Sequence, residues 1–424
     1  MNAESGLKIA VIGAGVAGIT AAYLLQRRHI VTLFEKNDYV GGHTHTVVID
    51  QGPDAGTPVD TGFIVFNDRT YPNFIRFLSQ LGIAGHKTDM ALSFECRRTG
   101  LYYAGTNLDG LFAQRRNLLR ASFWRFLAEI VRFCRTTDKH LRQGTLRNLT
   151  LGEYAQRERF GTDVLEQFVF PMASAIWSTP NTEMKDFPAE SLARFYDNHG
   201  LLSLRNRPTW YFIPGGSHQY VKAFLRGFRG KVLANCGVAA VRRTESGVAL
   251  KLADGAEETF DRVVIAAHAD EARALLADAS PEEARLLSVW EYAANHTVLH
   301  CDTSLLPPAA SAWGAWNYLR GAGAETDSRL TVTYYMNRLQ CLEAQRHYCV
   351  TLNPAPAIPR ERVIEAMNYT HPMYSIEAMA TQDQLRRLNG QRNTFFCGSY
   401  LGYGFHEDGV RSAVDVARSF GISL

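Results

Sequence analysis

The stretch Lys8-Ile9-Ala10-Val11-Ile12-Gly13-Ala14-Gly15-Val16-Ala17-Gly18, followed at Ile30-Val31-Thr32-Leu33-Phe34-Glu35 by a second apolar run ending in an acid, decides the fold. It reads as strand (Lys8 to Ile12), glycine turn, helix (Val16 to about Arg28) and strand (Ile30 to Phe34), which is a βαβ unit. A pyrophosphate can approach the backbone of such a turn only where residues lack a Cβ, and the free amides at the helix start supply donors and a favourable dipole. Gly13, Gly15 and Gly18 meet the first demand, and Val16 and Ala17 sit where the amides emerge. Glu35, with Lys36 beside it, stands where a carboxylate would accept the ribose hydroxyls of an adenosine. The unit announces a dinucleotide site, without deciding between NAD and FAD.

Outward from this unit, the chain has 424 residues, beyond the size at which one core stops growing, so two domains are expected. A hydrophobic fraction of 46%, a charged fraction of 21% and 34 glycines describe a globular enzyme and exclude fibrous and disordered classes. A net charge of +3, with no run of like charges, gives no argument for nucleic acid. The seven cysteines are scattered with no Cys-x-x-Cys pair, which suits a reducing compartment and offers no zinc or iron cluster. His43 and His45 are not spaced as a metal site, and no metal is expected. Met1 to Gly6 is polar, unlike a secretory signal, and no segment offers the roughly 18 uninterrupted apolar residues of a membrane span. A cytoplasmic protein is expected, with peripheral attachment to the inner membrane left open.

Residues 111–147 change character. Leu119, Phe123, Phe126, Leu127, Ile130 and Phe133 recur at helical spacing among nine Lys or Arg and only two acids, Glu129 and Asp138. Such a basic, aromatic-rich helix can lie on an anionic membrane, or can pack its apolar face on the rest of the protein with its arginines solvated. From Lys231 to Ala267 alternating strands with turns at Glu245-Ser246-Gly247 and Ala253-Asp254-Gly255 suggest a meander returning to the first sheet. Further strands are expected over His296 to Cys301, Trp313 to Leu319, Leu330 to Tyr335, Tyr348 to Leu352 and Thr394 to Cys397, and a last helix from about Val410 to Phe420.

Gly41-Gly42 after the acid, and the closing run Cys397-Gly398-Ser399-Tyr400-Leu401-Gly402-Tyr403-Gly404-Phe405-His406-Glu407-Asp408-Gly409-Val410, resemble the two ends of the amine oxidase and phytoene desaturase group of flavoproteins. The resemblance implies FAD. It implies cofactor contacts at Gly41, Gly42, His43, Gly398, Glu407, Asp408, Gly409 and Val410, with Val238 beside adenine and Pro214-Gly215-Gly216 before a helix. His43 stands where the group carries arginine, so a titratable cation, or none, is left near the pyrophosphate. The implied fold is α/β: a Rossmann-like FAD-binding domain of the glutathione reductase type (1–85, 206–268 and 388–424), interleaved with an α+β substrate domain, helical over 86–205 and sheet-rich over 269–387.

The chain also resembles, nearly throughout, bacterial proteins known as amine-oxidase-like or NAD/FAD-binding, through Val59-Asp60-Thr61-Gly62-Phe63-Ile64-Val65-Phe66-Asn67, Trp316-Asn317-Tyr318 and Thr333-Tyr334-Tyr335-Met336-Asn337-Arg338-Leu339-Gln340. Thr61 and Gly62 join the implied cofactor contacts. One branch is implicated in desaturating methyl-branched acyl chains on the way to furan fatty acids, which implies a lipid or fatty acyl substrate. An amine oxidase releasing peroxide, a redox-neutral double-bond isomerase and a non-catalytic flavin- or lipid-binding protein are alternatives. His406 is the ionisable catalytic candidate, since it lies in the flavin-facing loop, with a backbone-bonded structural histidine as the other reading. Tyr400, Tyr403, Trp177 and Tyr211 are candidates to line the flavin or a substrate tunnel. With one dinucleotide turn present, electrons are expected to leave to oxygen, a quinone or a carrier protein.

Overall fold

The computed structural model describes residues 5–177, 184–203, 207–321 and 331–424. Leu330, read as the start of a strand, and Arg205 and Asn206, where a domain limit was placed, lie outside them.

The βαβ unit forms as its pattern dictates: strand Lys8–Ile12, helix Val16–Leu25, strand Ile30–Phe34. These strands belong to a five-stranded parallel sheet ordered Lys231–Leu233, Ile30–Phe34, Lys8–Ile12, Arg262–Ile265, Thr394–Phe396, with Lys8 opposite Ile30 and Ile9 opposite Arg262. Both faces are covered, which is why the strands are mostly apolar on both faces rather than alternating, with buried Thr32 and Thr394 as exceptions. Ile9, Val11, Leu33 and Val264 pack on the first helix and the last one, while Ala10, Ile12, Phe34 and Val263 face the opposite core. The sheet is therefore drawn from three widely separated stretches of chain. The meander Val238–Arg243, Val248–Leu252 and Glu257–Phe260 lies between two of its strands and leads into Arg262–Ile265.

The second unit is a seven-stranded, largely antiparallel sheet ordered Val363–Pro372, Tyr292–His300, Cys349–Leu352, Thr331–Tyr335, Trp316–Arg320, Leu92–Cys96, Leu101–Ala104. Two of these strands fall in the stretch expected to be helical. Leu92–Cys96 and Leu101–Ala104 pair across the Arg97-to-Gly100 turn and add to the sheet edge through a parallel pairing with Trp316–Arg320. Helices Ala121–Gln143, Leu151–Glu158, Phe170–Trp177 and Ala189–Asn198 cover the region after them.

Helix Ala121–Gln143 buries Phe123, Phe126 and Phe133. Leu119, expected on its apolar face, instead stands 93% exposed in a short 3-10 turn before it, next to exposed Leu118 and Trp124. No helix among the described residues is long and apolar enough to cross a membrane.

Candidate cofactor and substrate site

Each glycine of the turn has its own reason. A Cβ on Gly13 would lie 2.6 Å from the Ala266 carbonyl oxygen, and one on Gly18 would collide with the carbonyl of Gly13, so both are fixed by packing of the turn on the sheet and on itself. A Cβ on Gly15 would meet nothing within 4 Å. Gly15 is thus the one position of the three whose glycine the protein's own packing does not demand, as a cradle for a close-approaching pyrophosphate requires. The Glu35 carboxylate accepts from the amides of Ala14 and Asn37 at 2.9 Å each, which locks it against the turn. Gly41 donates its amide to the Ala14 carbonyl, and a Cβ on Gly42 would come within 3.0 Å of Gly15 Cα. Val238 opens the meander two residues after Cys236, whose amide donates to the Glu35 carbonyl. Residues from three parts of the chain thus meet at one turn. Lys36 turns its side chain away to pair with Glu271 at 2.5 Å, on the protein surface.

His43 lies beside this cradle. Its Nε2 is buried without a hydrogen-bond partner, and burial, with His371, His268 and His406 nearby, holds its pKa well below the ordinary histidine range. Thr61 bonds His45 Nδ1 and the Tyr369 hydroxyl at 2.9 Å each. Gly62 rests against the His43 carbonyl, where a Cβ would collide. These are an orphaned polar atom and a side-chain-free cradle of the kind a dinucleotide fills, so the residues fit FAD: Gly13, Gly15, Val16, Ala17, Gly18 and Glu35 from one side, Gly41, Gly42, His43, Thr61 and Gly62 from the other.

At the closing segment the helix begins at His406, a turn earlier than the Val410 expected from sequence, and runs to Ser419. The cause is Asp408, whose carboxylate takes the amides of Phe405 at 3.1 Å and Tyr403 at 2.9 Å and so caps the first turn. Glu407, an expected cofactor contact, accepts from the Asn73 side chain at 2.6 Å and the Phe74 amide at 2.9 Å, satisfying the start of helix Pro72–Gln80. Both carboxylates therefore hold the loop in shape. Gly398 donates to Ser412 Oγ, and Gly409 and Val410 pack against the first helix and its core.

His406 is stacked on Phe63, ring centroids 3.5 Å apart, and its Nε2 is 3.0 Å from Thr44 Oγ1, itself 2.6 Å from the Tyr220 hydroxyl. Burial pulls its pKa to about 3, so it stands as a neutral, positioned imidazole rather than a base poised near neutrality. Tyr400 does not line a cleft: the 3-10 turn Ser399–Leu401 directs it inward, 1% exposed, against Trp290. Tyr211 also faces away, stacking on Phe66 over helix Pro72–Gln80. In a strand, neighbours point to opposite faces, and the adjacent Trp210 is the one that turns towards the loop, stacking on His199 at 5.7 Å. Trp177 donates its indole N–H to the Tyr403 carbonyl at 3.2 Å, placing both at the loop.

Several residues unmarked by the sequence complete an aromatic wall. His199 stacks on Phe195 at 3.7 Å, Phe195 on Phe405 at 4.9 Å, and Trp177 packs on Phe187 and Phe195. His199 itself, buried to a pKa of about 4 and bonded to the Phe195 carbonyl, is a neutral member of that wall. Only the alternation of Trp210 with Tyr211 and Phe212 carried a signal for any of it.

Comparison with known proteins places the chain in a family and agrees with its fold. Residues 16–320 match the family described as flavin containing amine oxidoreductase. A protein of Mycobacterium tuberculosis assigned as a flavin-containing monoamine oxidase is 30% identical over 261 residues, 59% of this chain and 54% of that protein. The chain thus spans about half the length of the curated relatives it matches first. A 1-hydroxycarotenoid 3,4-desaturase of a Flavobacterium species is 39% identical over 75 residues, 18% of this chain and 14% of that one. Among solved structures, the CLA-producing fatty acid isomerase from P. acnes superposes with a TM-score of 0.69 at 16% identity, covering 99% of both chains, a likeness of fold.

Proposed function

The chain belongs to the flavin-containing amine oxidoreductase family, with FAD as its cofactor, and on that premise we propose that it dehydrogenates a hydrocarbon chain, a fatty acyl group carried on a lipid. When bound, FAD supplies a hydride acceptor at N5. The observation that carries the substrate class is the wall of Trp177, Phe187, Phe195, Trp210 and Phe405 over the loop that closes the dinucleotide domain. Trp177, Phe187 and Phe195 are buried against one another, and an apolar cluster of this kind, where it borders a substrate channel, excludes water and favours an alkyl chain. Asp408 and Glu407, the acids of that loop, are already committed to backbone amides, so they are poorly placed to receive an ammonium group. His406, neutral and held by Thr44, orients the loop without carrying a charge to the site. A carotenoid desaturase and a fatty acid isomerase among the similar proteins act, by their names, on hydrocarbon chains.

Access to such a substrate is supported by the tip at the start of helix Ala121–Gln143. Leu108, Leu118, Leu119 and Trp124 are exposed there, flanked by exposed Arg115, Arg116, Arg120 and Arg125. Apolar side chains ringed by arginines insert into, and are attracted by, an anionic bilayer surface. A cytoplasmic protein attached peripherally to the inner membrane, passing electrons to oxygen, a quinone or a carrier protein, follows from this reading.

The test is anaerobic mixing of the yellow holoprotein with phospholipid vesicles and, separately, with primary amines and polyamines. Bleaching of the flavin by lipid, with a new double bond by mass spectrometry, supports the proposal. Bleaching by amines with peroxide release on aeration would instead establish an amine oxidase, the second reading favoured by the Mycobacterium tuberculosis relative. Shifted double bonds without net oxidation would establish an isomerase, and no response to either would leave a flavin- or lipid-binding protein. L119E/W124E is expected to abolish co-sedimentation with anionic vesicles while leaving bound flavin unchanged.

A further inference from the structure

Three histidines from distant parts of the sequence converge beside the glycine turn. His43 follows Gly42, which abuts Gly15. His268 follows Ala266-Ala267, where the Ala266 carbonyl faces Gly13. His371 arrives on strand Val363–Pro372 of the other sheet. The His43 ring lies 5.3 Å from that of His371 and 5.9 Å from that of His268, centroid to centroid. His43 Nε2 is buried with no partner in the protein. Three imidazoles crowded together disfavour charge on one another unless an anion joins them, and an unpartnered buried nitrogen is costly unless something accepts or donates there.

We propose that His43, His268 and His371 together receive the diphosphate of FAD in place of a fixed cation, so that FAD binds with uptake of a proton and is held more weakly as pH rises. This deepens the FAD assignment and rests on it. In the free protein all three groups are held below the ordinary histidine range, by burial first; neighbouring histidines add to this at His43 and at His371, the latter at about 4, while at His268 burial outweighs the opposing pull of Glu271 and Asp270. At neutral pH they are therefore uncharged before the cofactor arrives. The negative charges of a bound diphosphate would favour imidazolium and raise these pKa values. The groups facing the cluster do not supply the missing charge. His268 stacks on Tyr292 at 4.4 Å and has Thr370, Asp270, Glu271 and Lys36 around it, with Lys36 paired to Glu271. His371 accepts a hydrogen bond from Asn295 at 3.0 Å through Nδ1, which fixes its neutral tautomer with the N–H on Nε2. His43 faces Tyr369 at 5.0 Å and neutral His406.

The sign follows from linkage. Where the bound form holds one more proton than the free form, Kd rises tenfold for each pH unit. The window runs from above about 4, where His371 of the free protein loses its proton, up to the raised pKa of the complex. The experiment measures FAD affinity of deflavinated protein by flavin fluorescence between pH 5.5 and 8.5. Titration calorimetry in two buffers of different ionisation enthalpy counts the protons taken up. ADP is titrated alongside, since it carries the diphosphate without the flavin. The expected result is a rise in Kd approaching tenfold per pH unit for both ligands, with about one proton taken up at pH 7. H43R, which restores a permanent charge at the position, is expected to flatten the slope for both, and H43N to weaken binding at pH 6 while reducing the slope. Circular dichroism of the apo-variants controls for folding. A flat Kd across the range, an unchanged slope in H43R, or a slope for FAD absent for ADP would each overturn the proposal. Absence of FAD binding at every pH would overturn the cofactor assignment with it.

Discussion

Replacing Gly15 with alanine and Gly18 with alanine is expected to move two readouts in different directions. Gly15 has a φ of −74° and an extended ψ, a conformation open to any L-residue, and its added Cβ meets no protein atom within 4 Å. Exchange at such a site narrows the unfolded ensemble and stabilises the protein by roughly 0.4–1 kcal/mol. The same methyl would stand between an incoming pyrophosphate and the amides of Val16 and Ala17. Loss of one or two hydrogen bonds to a charged acceptor, at about 1.5–3 kcal/mol each, weakens FAD by roughly tenfold to about 20,000-fold. At Gly18 the methyl collides with the Gly13 carbonyl and comes within 3.2 Å of Ala266 Cβ. Backbone there must move, so G18A is expected to lower apo stability by about 1–3 kcal/mol or more and to weaken FAD as well. Thermal or urea unfolding of the apo-proteins gives the first readout, flavin fluorescence titration the second. If G15A keeps the parental FAD affinity, or unfolds more easily than the parent, the assignment of the cradle is wrong.

Other expectations follow from buried charges and rings. Asp60 is wholly buried, and burial lifts its pKa to about 7 against the hydrogen bonds of Thr46 and Ser217. Its folded pKa exceeds the unfolded value of about 3.9, so its contribution is full in acid and is lost as pH rises towards 7, a difference on the order of 4 kcal/mol; subtracting the pH–stability curve of D60N isolates it. Arg243, with a side chain 1% exposed, bonds Glu283 at 2.8 Å and Asp278 at 2.6 Å. R243L is expected to cost about 3–5 kcal/mol in urea unfolding by stranding Glu283, and R243L/E283L to recover much of it. Because His406 is already neutral above about pH 3, H406Q is expected to leave the pH dependence of kcat/KM between pH 5 and 8 unchanged in shape; disappearance of a limb near 6.5 would make His406 the base after all.

What the sequence made legible was local or repeated. The strand, turn and helix around Gly13 to Gly18 were readable because the apolar runs, the glycines and the acid are contiguous, and the meander because its turns carry Ser-Gly and Asp-Gly pairs. The hairpin of Leu92–Cys96 and Leu101–Ala104 was hidden because the helical period begins soon after it and the strands gain their place only by pairing with Trp316–Arg320, far along the chain. That Tyr211 stacks on Phe66 while Trp210 stacks on His199 was not legible, because nothing local fixes which face of a three-residue strand is inward. The Glu407 carboxylate accepts from the Phe74 amide at the start of helix Pro72–Gln80, a contact that no local pattern marks because it exists only once both ends of the chain have met.

The same long-range meeting explains why the cofactor site cannot be separated from the substrate sheet. His43 and Gly42 belong to the dinucleotide cradle, but Thr61, which follows Asp60, bonds the hydroxyl of Tyr369, and His371 lies two residues further along that strand. The Asp60 amide in turn donates to Gln340 at 2.8 Å, and the Gln340 amide returns to Asp60 at 3.0 Å. The segment is therefore clamped to the seven-stranded sheet and the short helix beside it at two successive residues, Asp60 and Thr61. A change in protonation at the histidine cluster would reach the strand carrying Tyr369 by direct contact, without any moving domain. Cofactor retention and the shape of the substrate side are in that sense one property of the fold, set where two sheets built from alternating stretches of the chain touch.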